Sequence, residues 1–135
     1  MSSERVKREY PFSDITGKII AAAYTVHREL GPGFEERIYQ RALALELPAH
    51  GLEFSREVWM DVHYRGSHVG RKRVDFVIED VMVEIKAKAM IEDVDVVQTL
   101  SYLKASGFEV GLLLNFGSAS MGIKRVIHTP ANTGG

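Results

Sequence analysis

Asp75, Glu84 and Lys86 are the residues whose types and spacing point most directly to chemistry. The segment 81–87 is β-branched and apolar except at Glu84 and Lys86, and residues two apart on a strand share a face. The run from Arg73 to Ile78 sets Val74, Phe76 and Ile78 on one face and Asp75 and Val77 on the other. A tight turn at Glu79 and Asp80 then brings Asp75 to the face that holds Glu84 and Lys86. Two carboxylates and an ammonium converge there. Buried carboxylates that crowd one another either take up a proton or hold a cation. An all-oxygen set with open positions suits Mg²⁺ or Mn²⁺. The chain has no Cys, and His27, His50, His63, His68 and His128 form no close pair at ligand spacing, which argues against zinc. Lys86 beside such a metal would orient or deprotonate an attacking water, or stabilise charge on a phosphoryl oxygen. That is the chemistry of phosphodiester hydrolysis.

The elements around these residues follow from periodicity. Ile15, Ile19, Ala22, Ala23, Val26 and Leu30 keep helical spacing behind Ser13 or Asp14 as a cap, and Gly31, Pro32 and Gly33 end that helix. A second helix is predicted from near Phe34, carrying Ile38, Ala42, Leu43 and Leu45 toward Pro48. Residues 54–64 read as a strand with Val58, Met60 and Val62 on one face, turning at Arg65, Gly66 and Ser67. After the two strands that carry the acids, residues 93–105 are helical with Gly107 as a stop, residues 110–116 are a dense apolar strand, and residues 122–128 a shorter one. This order predicts an α/β fold, a mixed central sheet flanked by helices, with a right-handed crossover between parallel strands.

Length and composition bound the rest. A chain of 135 residues with 45% hydrophobic and 26% charged residues is long enough for one domain with a real core, placed here at residues 13–128. Residues 1–9 read as a mobile lead and residues 129–135 as a mobile tail. No apolar run approaches the roughly 20 residues of a membrane helix, so a soluble cytoplasmic protein is expected. A net charge of −1 excludes coating of nucleic acid by bulk charge. Local charge differs: His63, Arg65, His68, Arg71, Lys72 and Arg73 form a basic stretch around a turn just before Asp75, suited either to phosphate binding or to plain solvation.

Further side chains have two readings each. Glu36 and Tyr39 lie three apart near a helix start, where the modest role of Glu36 is to complement the helix dipole. Gln98 and Tyr102, four apart, share one side of their helix, as a polar edge also would. Lys88 could reach phosphate, or stand as a surface lysine at a strand end. His27 suits a structural role at a helix end over a ligand role, and Trp59 and Phe54 could stack on a base, although isolated strand aromatics are usually core or cross-strand packing and no base-reading element surrounds them.

Taken together, these residues resemble a known family. Gly33, Glu36 and Tyr39 match the signature of the GxxExxY proteins, and Asp75, Glu84, Lys86, Gln98 and Tyr102 look like the core of the PD-(D/E)XK nucleases, over roughly residues 15–116. Val74 stands where that motif often has Pro. The resemblance implies a restriction-endonuclease-like core and a Mg²⁺- or Mn²⁺-dependent nuclease. It implies metal ligation by Glu36, Asp75, Glu84 and the carbonyl of Ile85, with Lys86 as the catalytic lysine. Gln98 and Tyr102 are then helix residues near the site. Arg71, Lys72, Arg73 and Lys88 would meet the nucleic acid, DNA first. A homodimer is one way to cover two strands. The competing expectations are a module that keeps this fold but binds without cutting, and a structural protein whose charges form an internal salt-bridge network.

Overall fold

A computed structural model of the chain describes residues 13–129. The lead at residues 1–9 and the tail from residue 130 onward lie outside the described residues. Among the described residues, three helices, a short 3₁₀ turn and five strands follow in the predicted order. They are α1 (Ser13–Leu30), α2 (Glu36–Glu46), the turn Leu47–His50, β1 (Phe54–Tyr64), β2 (Ser67–Ile78), β3 (Val81–Lys86), α3 (Asp93–Ser106), β4 (Val110–Asn115) and β5 (Gly122–Ile127).

The five strands form one sheet in the order β1-β2-β3-β4-β5. Only β3 and β4 run parallel, with α3 as their crossover, and every other pair is antiparallel. Such a mixed α/β sheet is what the element order predicted. All six residues of β4 are buried, as a strand covered on both faces requires. On one side, Ile19, Ala22, Ala23 and Val26 of α1 and Tyr39 and Leu43 of α2 pack against Phe76, Val83, Ile85, Leu112 and Leu114. On the other, Leu103 of α3 packs with Met60, Val74, Met82, Leu113 and Val126.

Local chemistry sets the ends of the helices. Gly31 takes a left-handed conformation (φ 68°) and its amide donates to His27 O at 2.8 Å, which stops α1. Ser13 and Asp14 both lie inside the described helix, so the expected cap is not among the described residues. At α3, the Glu92 amide donates to Asp95 Oδ2 at 2.8 Å and Gly107 (φ 84°) closes the far end. Leu45 departs from expectation: it is 84% exposed, because Leu43 and Leu47 on either side of it already face the core.

The strand carrying Asp75 is longer than predicted. It starts at Ser67 instead of Arg73, since β1 offers a partner along its full length and only Arg65 and Gly66 are left to turn. Arg71, Lys72 and Arg73 are therefore strand residues. Because β2 pairs with β3 at only three positions, Phe76 to Val83, Val77 to Met82 and Ile78 to Val81, the β1–β2 hairpin runs past the sheet as a two-stranded ribbon.

At Asp75 the ribbon changes face. The register between β1 and β2 is the same on both sides of this point, yet Glu57 and Asp75, which it would set opposite each other, are absent from the ladder. Glu57 has φ 52°, a conformation that costs a side-chain-bearing residue roughly 1–2 kcal/mol. Residues two apart on a regular strand share a face, but Phe76 packs on the α1–α2 side and Val74 on the α3 side. The swap places the outward face of the ribbon, with Trp59, Arg71 and Arg73, on the side of α2.

Candidate active site

Asp75 sits at this change of face and is anchored from two elements. Gln40 Nε2 of α2 donates to Oδ1 at 3.1 Å, and the amide of Ile85 in β3 donates to Oδ2 at 2.7 Å. Gln40 in turn accepts from Arg56 Nη2 at 2.9 Å, so its amide bridges a carboxylate and a guanidinium. Carrying the β2–β3 register one pair beyond Phe76 and Val83 sets Asp75 opposite Glu84. Burial first, and then the negative charge of Asp75, push the Glu84 carboxyl up to about 8, with the Lys86 charge working the other way. Glu84 thus feels both Asp75 and Lys86, although of the three only Asp75 lines the adjoining cleft.

Glu84 Oε1 is buried and finds no hydrogen-bond partner among the described residues. A buried carboxyl oxygen without a partner costs on the order of 1–3 kcal/mol, more when ionised. A cation removes that cost. The donors Asp75, Glu84 and the Ile85 carbonyl are all oxygen, which fits a hard divalent ion. Among the described residues no three Asp, Glu or His side chains gather closely enough to form a cage by themselves. Glu36 is exposed in the first turn of α2 and lines the same cleft as Asp75 and Ile85, at its rim.

The cleft encloses about 690 Å³. Arg37 and Arg41 of α2, Arg56 of β1 and Arg73 of β2 line it beside Glu36, Glu57 and Asp75. Four guanidiniums, each a fork of donors matched to phosphate oxygens, make it a seat for anions. Three of them, with Gln40, had not been singled out from the sequence.

Lys86 is held on the α3 side. Its Nζ lies 3.8 Å from Asp95 Oδ1. Asp95 is almost fully buried and also binds Lys88 Nζ, at 2.9 Å to Oδ2, while Glu92 takes the same ammonium at 2.7 Å. Burial alone would raise the Asp95 carboxyl; the Glu92 amide and the Lys88 and Lys86 charges outweigh it and hold Asp95 below the usual range. Glu92 and Asp95 correspondingly raise Lys88. The segment beyond β3 is clamped as well: Asn115 Oδ1 accepts from the Lys88 amide and Nδ2 donates to Lys88 O, both at 2.9 Å. Gly117 approaches so closely that a Cβ there would stand 2.4 Å from Lys88 N.

The other expected residues lie elsewhere. Gln98 is exposed on α3, and neither it nor Tyr102 hydrogen-bonds Asp75, Glu84 or Lys86 among the described residues. Tyr102 is half-buried beneath Lys72, whose Nζ is 5.6 Å from the ring centroid. Of the expected basic residues, Arg73 lines the cleft, Arg71 lies over Trp59 and Lys88 is committed to its ion pairs. Tyr39 and Glu36 part company: the Tyr39 ring stacks on Phe116 at 4.7 Å and its hydroxyl donates to Gly31 O. His27 keeps the structural role expected of it, with Nε2 2.9 Å from Ser118 O.

The profile of the PD-(D/E)XK nuclease superfamily matches residues 13–126. No curated protein matches the chain. Among solved structures, one titled "Crystal structure of SSO0001" is similar in fold, with a TM-score of 0.54 and 18% identity over 96% of this chain. The chain spans 63% of that protein's length. The matched span takes in every described helix and all but the last residue of the sheet, together with Asp75, Glu84 and Lys86, and on that match the chain belongs to the PD-(D/E)XK nuclease superfamily.

Proposed function

We propose that the chain hydrolyses phosphodiester bonds of nucleic acid, DNA first, with Mg²⁺ or Mn²⁺ held by Asp75, Glu84 and the Ile85 carbonyl. The observation that carries this reading is the buried, unpartnered oxygen of Glu84, whose neighbour Asp75 lines an arginine-rich cleft. Superfamily membership supports the nuclease class. Gly33, Glu36 and Tyr39 also keep the GxxExxY spacing.

The chain's own groups have distinct tasks. Arg37, Arg41, Arg56 and Arg73 bind and orient the substrate phosphates. Gln40 and the Ile85 amide fix the direction of the Asp75 carboxylate, as outer partners of ligands do. Lys86, its Nζ 3.8 Å from Asp95 Oδ1, offers its ammonium to charge that develops on the phosphoryl or leaving oxygen. A bound divalent ion supplies Lewis acidity and lowers the pKa of water. Glu36, which lines the same cleft, would extend the ligand set.

The test is cleavage of labelled single- and double-stranded DNA and RNA with Mg²⁺ or Mn²⁺. Metal-dependent cleavage is expected, falling by about 10³-fold in Lys86→Ala. Asp75→Asn should lose Mn²⁺ binding by calorimetry. Intact substrates in the presence of a measurably bound ion would overturn the reading in favour of a module that binds without cutting. The rim position of Glu36 is the observation on that second side.

A further inference from the structure

Trp59, the chain's single tryptophan, is 52% exposed on the outward face of the β1–β2 ribbon. Large aromatic side chains gain most from cover, and a half-bare indole on a sheet face leaves that gain unused. Its cross-strand partner is Arg73, whose guanidinium carbon lies 5.8 Å from the ring centroid. Arg71, two residues away on the same face, lies over the ring at 4.2 Å. Asp61 stands opposite Arg71 in the ladder but is engaged with His68 at 3.0 Å. Among the described residues Arg71 has no carboxylate within ion-pair distance, and its guanidinium rests on the indole instead. Arg73 also lines the cleft beside Asp75. Ring and cleft therefore share a residue.

We propose that Trp59, flanked by Arg71 and Arg73, is a stacking platform for an unpaired nucleotide of single-stranded nucleic acid. An indole face accepts any base: the base takes the place of Arg71 over the ring, and the displaced guanidinium, with that of Arg73, meets the phosphates, the combination that binds single strands without reading sequence. A base inside a duplex is stacked on both sides and is not free to stack on a side chain of a sheet face. Exposed aromatic area beside two guanidiniums, only one of them in an ion pair, matches a polyanion with π faces better than it matches an apolar protein surface. That the bound strand continues into the cleft rests on the hydrolase reading; the platform itself does not.

Because Trp59 is the single indole, its emission reports stacking directly. The intact chain is titrated in EDTA, without divalent ions, with a 12-nucleotide oligothymidylate, an abasic strand of the same length and a blunt duplex. Saturable quenching by the oligothymidylate is expected, with little from the other two. By anisotropy of a labelled strand, Trp59→Ala weakens binding at least about fivefold while Trp59→Phe, which keeps an aromatic face, recovers most of it. Equal quenching by the abasic strand or the duplex overturns the platform, and so does an unchanged affinity in a folded Trp59→Ala chain. A failure of the oligothymidylate to bind does the same. With no metal present, the outcome is independent of cleavage. Quenching by a chain that never cuts keeps the platform and sinks the hydrolase, whereas metal-dependent cutting with unchanged single-strand affinity in Trp59→Ala does the reverse.

Discussion

A carboxyl group that burial and a neighbouring carboxylate keep protonated up to about pH 8 makes the apo protein sensitive to pH. The unfolded chain ionises Glu84 near its ordinary value while the folded chain does not, so the folded state binds the extra proton. Its stability is therefore full below pH 4.5 and falls as the pH rises toward 8. In EDTA, Glu84→Gln escapes this loss. Its melting temperature should exceed that of the wild type by an amount that grows between pH 5 and 8, on the order of 5 °C at the upper end. Mg²⁺ should narrow the gap by stabilising the wild type alone, and parallel pH profiles for the two proteins would refute this account. Gln40 is the second residue to probe. Gln40→Leu removes the link between Asp75 and Arg56, and metal-dependent cleavage should fall about 10- to 100-fold with the circular dichroism unchanged. Asp75, Glu84 and Lys86 were legible in the sequence because strand alternation isolates polar residues in an apolar run. Gln40 carried a signal that Tyr39 obscured: it lies four residues after Glu36, the spacing that shares a helix face. Arg56 and Asp95 carried none, since their roles depend on which elements pack together.

At the scale of elements, the break at Glu57 and Asp75 decides what the cleft contains. Were β1 and β2 regular through this point, Trp59 and Arg73 would turn toward α3 and the cleft would lose an arginine. Glu57 holds its left-handed conformation without glycine's freedom, and its pairing with Arg73 at 3.6 Å is exposed and weak. Glu57→Gly should therefore leave thermal stability equal or slightly higher. Glu57→Val, β-branched and least tolerant of positive φ, should lower it by about 1–2 kcal/mol in urea denaturation. Equal stability for the two variants would mean that the backbone here is set by other contacts. Helix and strand order was legible because periodicity and glycine stops were strong. The extra length of β2 was not: charged residues at 71–73 look like a turn until β1 supplies the ladder that makes them a strand.

For the whole molecule, a net charge of −1 conceals a gathering of arginines. Arg37, Arg41, Arg56 and Arg73 come from three elements and meet in one cleft, which composition could not reveal. If each meets one phosphate, the affinity for single strands should fall with salt at a log–log slope of about −3, or some fifty-fold from 50 to 200 mM. A flat salt profile would show that the cleft holds no backbone. None of the described helices is long and apolar enough to cross a membrane. The fold class and the superfamily were legible early, because a mixed sheet follows from element order and the acidic motif from alternation. The ribbon was legible only in its two strands. Its tip, Arg65 and Gly66, both at positive φ (50° and 80°), is the sole covalent link between two pieces of the site. Trypsin cutting after Arg65 would separate residues 1–65, with Arg37, Gln40, Arg41 and Arg56, from residues 66–135, with Arg73, Asp75, Glu84 and Lys86. Neither fragment holds the cleft, yet the β1–β2 ladder and the packing of α1 and α2 on the sheet give them an extensive surface for reassociation. If the proposed activity holds, two such halves would each lack it, and their reunion would report the proximity of whatever they were fused to.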